Sequence, residues 1–315
     1  MKRMLPIILA ALLLTGCAGR SAGEAPGEAP MNRKTKTLVN IALALLLLFC
    51  LVKVVVSITE DSANRSDLEE AKLLASVGNA GLLLDEDPEP VPQATVPGND
   101  PEQEAPAPTE TVPLPEDPIL LALMETDLEA LRSENEDVVG WITIPDTPVD
   151  YPLLQWTDND FYLNHTWKQT PNPNGSIFIE WQNSPELTDF NTIIYGHNMS
   201  SGLMFGSLRS YRSKTYWEAH PRFYIVCDRG VLCYDIFAAH RADIDTIIYG
   251  LELDTVEKRT RFIRFAKDYS AYDTGIQPGV EDLVVTLSTC SGQGYSNRWV
   301  VQGVLNTEAS YLPNG

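Results

Sequence analysis

The sequence predicts a mainly β fold, a closed or sandwiched array of short strands carrying a few helices, on three observations. Residues 119–315 hold seven β-type runs: VVGWITI, SIFIEW, NTIIYG, RFYIVC, VLCYDIFAA, DLVVTLST and RWVVQGV. Clusters of Asn, Asp, Pro and Gly separate them, as turns separate strands in barrels and sandwiches. Helical signals in the same region are few: ILLALMETDLEALRSEN at its start, a short one around MFGSLRSYRS, and LDTVEKRTRFIRFAKDYS. In the last, Val256, Phe262, Phe265 and Ala266 form an apolar face. With 197 residues, the region is large enough to bury one core.

The chain ahead of it reads in three parts. Residues 1–30 open with MKRMLPIILAALLLTGC, two basic residues and an apolar run too short to span a bilayer, ending in Leu14-Thr15-Gly16-Cys17. That is the anatomy of a secretory signal, with a lipobox-like Cys17. Residues 31–58 hold a second apolar stretch, Leu38 to Ile58, whose 21 residues match the ~20 needed to cross a bilayer. Lys53 snorkels near its outer end. Arg33, Lys34 and Lys36 precede the stretch, so the positive-inside bias leaves residue 31 in the cytoplasm and residue 60 outside. A processed Cys17 would impose the opposite orientation. The conflict disappears if translation begins at Met31, and Cys50 then reads as an apolar membrane residue. An intact mass of the extracted protein decides between the two.

Residues 59–118 read as an extracytoplasmic stalk. A short helix starts at Ser66 as N-cap before DLEEAKLLASV. From 85 to 118 the chain packs 10 Pro and 10 acids into 34 residues without one aromatic, the composition of an extended, self-repelling spacer.

Net charge follows this division. The whole chain carries a formal −20, of which −10 lies in residues 85–118 and −12 in 119–315, while residues 1–84 carry +2. No surplus of Lys and Arg is available to neutralise phosphates, so nucleic-acid binding is excluded as a function class. No His and Cys spacing resembles a structural zinc site and no dedicated Ca2+ loop is visible, so neither metal nor cofactor is expected. Cys227 and Cys233 flank the turn sequence DRGVL. They read as two thiols in a strand pair, and a bridge between them requires a three-residue loop at 229–231.

Three residues carry candidate chemistry. Cys290 ends the apolar run DLVVTLST and is followed by the loop-like SGQGYSN, so a thiol sits where a rigid strand opens. His197 follows the strand-like NTIIYG at a similar opening. The other three histidines, His165, His220 and His240, lack that context and read as loop or structural residues. Arg298 opens RWVVQGV, eight residues after Cys290. A hairpin would bring its guanidinium to the same sheet end, where a fixed positive fork suits an oxyanion.

TLSTC and YGHNM are also short sequence signatures, and with them the chain resembles the class B sortases. The likeness runs through ENEDVVGWITIPDTPVDYPLLQ, DNDFYLNHTW, NGSIFIEWQN, NTIIYGHNMSSGLMFGSL, CYDIFAAH and VVTLSTC to RWVVQG, and covers essentially all of 119–315. The resemblance implies a sortase-type closed β-barrel with an N-terminal helix and an extra helix, at about 254–270, between the sixth and seventh strands. It also implies a membrane-anchored cysteine transpeptidase on the outer face of a Gram-positive cell. Such an enzyme cleaves a C-terminal sorting signal of a secreted protein after Thr and passes the acyl group to an amine, on a cell-wall precursor such as lipid II or on a pilin Lys. On this likeness Cys290 is the nucleophile, His197 the catalytic histidine and Arg298 the catalytic arginine. Ser288, Thr289, Asn159 and Leu163 match substrate-binding positions. Ser291 stands where some class B members carry an acid, and has no role assigned. Two other readings fit an extracytoplasmic chain: a cell-wall cysteine peptidase, or a stalked surface lipoprotein without activity. Against the first, such peptidases commonly place Cys before His and at a helix start, whereas here His197 precedes Cys290 by 93 residues. The second predicts that Cys290→Ala changes nothing.

Overall fold

The computed structural model describes residues 32–80, 115–290 and 296–313, with the backbone alone at 77–80 and 290. The signal-like segment with Cys17, the start at Met31, Ser291 and most of the Pro/acid-rich stretch lie outside them. The chain divides into two compact units, residues 1–55 and 56–315.

Helix α1 is a single element, Arg33–Ala80, of 48 residues. No Gly or Pro falls between residues 33 and 77 to stop it, so Ser66 lies inside this helix instead of capping a new one. In its first part Leu38, Leu45 and Phe49 are 66%, 61% and 59% exposed. Among the described residues it is the one helix long and apolar enough to cross a membrane.

From residue 56 the helix belongs to the second unit, and it is built into that unit's core. Asn64, Leu68, Ala71 and Ala75 are buried, spaced at the i, i+4, i+7, i+11 interval of one helix face. The Trp167 indole donates to the Asp67 carbonyl at 2.8 Å. Asn174 Nδ2 donates to Asp61 at 3.0 Å, Lys72 pairs with Asp150 at 2.9 Å, and the Asp127 amide donates to the Ala75 carbonyl at 2.8 Å. Residues 60–76, expected to stand in a stalk, are packed on the domain.

The single helix expected over 119–135 is two, α2 (Pro118–Met124) and α3 (Leu128–Glu134). Asp127 is the reason: its carboxylate accepts from the Ala130 amide at 2.8 Å, an N-cap that starts a new helix in mid-run. Asp117 caps α2 in the same way, with Pro118 in the first turn.

Eight strands follow: β1 (Val138–Thr143), β2 (Asp150–Leu154), β3 (Ile177–Ile179), β4 (Asn191–Gly196), β5 (Arg222–Cys227), β6 (Gly230–Asp243), β7 (Val284–Cys290) and β8 (Asn297–Leu305). They close a barrel in the order β1-β2-β3-β4-β7-β8-β6-β5, so the expected mainly β barrel is the observed fold. Closure leaves no edge strand to protect. Strands β2/β3 and β4/β7 are parallel and the remaining pairs antiparallel. The run MFGSLRSYRS forms a 3-10 helix, Gly206–Arg212, followed by helix α4 (Lys214–Ala219). Helix α5 (Val256–Tyr269) lies between β6 and β7, where the resemblance placed an extra helix. Its face is Phe262 and Ala266, both fully buried, with Phe265 partly so, whereas Val256 is 55% exposed.

The hairpin from β5 to β6 settles the two cysteines. Cys227 pairs with Gly230 across a two-residue turn, and Cys233 faces Tyr224, three residues along β5 from Cys227, so the two thiols are not opposite each other. Both are free thiols. Burial pushes both upward in pKa, Cys233 to about 11, so they stay protonated and inert.

Candidate active site

Sheet register brings the three chemical candidates to one end of the barrel. β4 and β7 run parallel and in step, Tyr195 beside Ser288 and Gly196 beside Thr289. β7 and β8 are antiparallel, with Cys290 directly opposite Arg298. His197 is the next residue after Gly196, so the ends of three adjacent strands deliver His197, Cys290 and Arg298 side by side. This placement needs the strand order β4-β7-β8, which no local sequence pattern shows.

Strand alternation then sorts the neighbours. On β7, Val285 and Leu287 point into the barrel core, while Val284 faces the layer of α5. Thr289 has the parity of the inward set and is 1% exposed. Ser288 has the other parity and lines a cleft of about 330 Å3. The cleft is lined by His197 and Arg298, by Tyr195 and Ser288 from the sheet, by Asn159, Asp160 and Leu163 from the loop before β3, and by Ile244 and Tyr249 from the segment between β6 and α5. Thus Asn159, Leu163 and Ser288 reach the cleft. Thr289, placed with them from the sequence, turns away because a one-residue step along a strand reverses the face.

The walls are fixed by hydrogen bonds. His197 Nε2 lies 2.6 Å from the Leu163 carbonyl oxygen. A carbonyl only accepts, so Nε2 carries a proton in this arrangement and the ring is oriented. The Ser288 hydroxyl and the Tyr249 hydroxyl are 2.8 Å apart. Asn159 is held at both ends: its Oδ1 accepts from the Trp181 amide at 3.0 Å, and its Nδ2 donates to Glu180 Oε2 at 2.5 Å. The Tyr195 hydroxyl donates to the same Glu180 oxygen at 2.9 Å. Burial first, then the Glu180 charge, raises the Tyr195 pKa, so the phenol remains a donor.

Chemically, the arrangement combines a strand-end thiol, an oriented imidazole and a guanidinium, the parts needed to form and resolve an acyl-thiol intermediate. Glu180, Tyr195, Tyr249 and Ile244 were not singled out from the sequence. Tyr195 sits two residues before His197 in YGHNM and Glu180 ends the apolar run SIFIE, and a period-2 reading from His197 and from β3 would have found both. Among the described residues no group of three or more His, Cys, Asp or Glu is placed to hold a metal ion.

Comparison with known proteins gives a consistent picture. The sortase domain model matches residues 142–306. Sortase B of Listeria monocytogenes (strain EGD-e) is 39% identical over 186 residues, which cover 58% of this chain and 75% of that protein. Sortase B of Staphylococcus aureus is 29% identical over 162 residues, 51% of this chain and 66% of that protein. Among solved structures, a Staphylococcus aureus sortase B superimposes with a TM-score of 0.56 at 27% identity, covering 59% of this chain and 89% of that one. The Listeria monocytogenes structure gives 0.51 at 38% identity, covering 57% of this chain and all of that one.

Proposed function

This chain belongs to the sortase family and has class B sortases among its relatives, and from that premise we propose that it cleaves a C-terminal sorting signal of secreted proteins after Thr through a Cys290 thioester, then transfers the acyl group to an amine. The observation that supports the reading is the in-step register of β4, β7 and β8, which brings Gly196, Cys290 and Arg298 to neighbouring strand ends beside a cleft lined by His197 and Arg298.

In the proposed reaction the Cys290 thiolate attacks the carbonyl carbon of the Thr residue, forming a C–S bond and an oxyanion. Only the thiolate is nucleophilic, and a neighbouring cation favours it over the thiol. Arg298 stabilises the oxyanion with charge that needs no reorganisation. As the tetrahedral intermediate collapses, the C–N bond breaks and His197 gives its proton to the departing amine. The acceptor amine then attacks the thioester, His197 takes the proton released, and the C–S bond breaks to leave a new amide and the thiolate. Ser288, Asn159 and Leu163 contact the signal in the cleft, while Thr289 supports the strand from within. Residues 38–58 anchor the enzyme as a single pass with the catalytic domain extracytoplasmic. Its partners are proteins bearing a sorting signal and an amine on a cell-wall precursor such as lipid II or on a pilin Lys.

The full chain in detergent micelles, mixed with self-quenched peptides of Asn-Pro-x-Thr and Leu-Pro-x-Thr type, is expected to cleave one class after Thr. With an added oligoglycine amine the N-terminal fragment should gain the mass of that amine. Cleavage that persists in Cys290→Ala overturns the mechanism.

A further inference from the structure

Glu180 is a buried carboxylate that the acyl-transfer chemistry does not itself use. It follows directly on β3 and is 5% exposed. Its backbone is locked, the amide donating to the Ile193 carbonyl at 2.8 Å and the carbonyl accepting from Gln155 Nε2 at 3.1 Å. A buried charge in such a place is costly unless it is paired and fully hydrogen-bonded. Here one oxygen, Oε2, accepts from Asn159 Nδ2 and from the Tyr195 hydroxyl, and both donors line the cleft.

Two features give this pair of bonds a consequence beyond stability. Asn159 and Tyr195 come from different elements, a loop and β4, and share no direct hydrogen bond, so the carboxylate is what ties the two cleft walls together. The Tyr195 hydroxyl also feels charges of opposite sign, that of Glu180 and that of the Arg298 guanidinium. A fixed negative charge therefore lies within electrostatic reach of the residues at the strand ends.

We propose that Glu180 is a positioning residue of the acyl-transfer site, clamping Asn159 and Tyr195 into one binding wall and placing a buried negative charge behind the strand ends that carry His197 and Arg298. The proposal rests on the sortase reading, through which the cleft is the substrate site. The clamp makes Asn159 useless to substrate once Glu180 is gone. A buried negative charge favours the protonated form of any ionisable group near it, so its removal should move the pH profile of cleavage to lower pH.

The test uses the full chain and the self-quenched Asn-Pro-x-Thr and Leu-Pro-x-Thr peptides. Cleavage by the unmodified chain establishes the sortase reading independently of Glu180. Glu180→Ala is expected to raise KM about tenfold with kcat changed less than about threefold, in line with the loss of charge-assisted hydrogen bonds. Asn159→Ala added to it should then cost less than about a further twofold, the non-additivity of two residues acting as one unit. Glu180→Gln keeps the shape and an acceptor oxygen but not the charge. Its kcat/KM should retain most of the original maximum, with the pH profile displaced to lower pH. Additive effects of Glu180→Ala and Asn159→Ala, or a Glu180→Gln profile that coincides with the unmodified one, overturn the proposal while leaving the sortase reading intact. Should Glu180→Ala fail to fold, the Glu180→Gln profile decides alone.

Discussion

One face of the sheet formed by β4, β7 and β8 carries polar side chains interspersed with apolar ones such as Val284, Val300 and Val304, and the polar groups of its two halves behave oppositely. Beneath α5, Asn191, Thr286 and Gln302 on these strands and His240 on the neighbouring β6 are buried at 3% exposure or less. They bond to one another in a chain: His240 Nε2 to Gln302 Oε1 at 2.9 Å, Gln302 Nε2 to Thr286 Oγ1 at 3.0 Å, Thr286 Oγ1 to Asn191 Oδ1 at 2.7 Å, and Asn191 Nδ2 to the Ile248 carbonyl at 3.1 Å. Further along the same face, past the cover of α5, Tyr195, His197, Ser288 and Arg298 border an open cleft. Polar groups consumed by each other hold the sheet and the segment bearing Tyr249, and polar groups left at the open strand ends are, on the proposed function, the ones offered to substrate. Two histidines of one chain thus differ in role through the layer above them, not through their own chemistry.

The sharpest way to break the comparison is to remove one group from the open half. Cys290→Ala and His197→Ala are each expected to lower peptide cleavage by at least about 10^3-fold, and Arg298→Ala by about 10^2 to 10^3, as for an oxyanion donor. Thermal unfolding should stay within ~2 °C of the unmodified chain in all three, because these residues stand outside the buried network. A collapse of stability alongside activity would erase the distinction between the halves.

The second largest effect lies where the sequence and the structure part company. Ala71 is fully buried between α1 and the barrel. Ala71→Asp places an unpaired charge there and should destabilise the second unit by about 3 kcal/mol, read in a urea melt. A chain begun at residue 119 should melt lower than one begun at 56 for the same reason. A stalk standing free of the domain would leave both unaffected.

The strands, and the three residues proposed to act at their ends, stand out in the sequence because each is written locally. A β-branched run ending in Cys, and another ending in Gly-His, each mark a strand that opens at one end. What escaped the sequence depends on what packs against what. The Asn64-Leu68-Ala71-Ala75 stripe is a short, weak amphipathic signal beside a dense acidic stretch, and only the barrel surface gives it meaning. Asp127 reads equally as an interior helix residue and as a cap. Thr289 is grouped with Ser288 by the family likeness, but the alternation of side chains along β7 puts it on the opposite face. Glu180 offers one charged letter after SIFI, with nothing to say that Asn159, 21 residues earlier, returns to meet it.

A smaller effect probes the rim of the open half. Ser288→Ala deletes the hydroxyl that meets Tyr249 at 2.8 Å. A neutral hydrogen bond of this kind contributes about 1 kcal/mol, so kcat/KM should fall roughly fivefold with little change in melting. Tyr249→Phe should reproduce that loss, and the double variant should not exceed either single one by more than about twofold, since both remove the same contact.

The smallest effect tests the covered half through pH. Burial lowers the pKa of His240 below its ordinary 6.5, although the bonds to the Arg241 carbonyl and to Gln302 act the other way. In the interval between the folded and unfolded values the unfolded chain binds the extra proton, so stability rises with pH. The contribution of neutral His240 is therefore complete above about pH 6.5 and is lost as the pH falls through the lower folded value. A single such group changes stability by at most ~1.4 kcal/mol per pH unit. Replacing it by Gln, which keeps hydrogen-bonding capacity but does not titrate, should make the unfolding free energy flatter between pH 7 and 5. The fold-change in peptide cleavage at neutral pH should stay below about twofold. If His240→Gln instead abolished cleavage in a folded chain, the covered network would belong to the reacting half, and the layer of α5 would no longer separate structure from chemistry on this face.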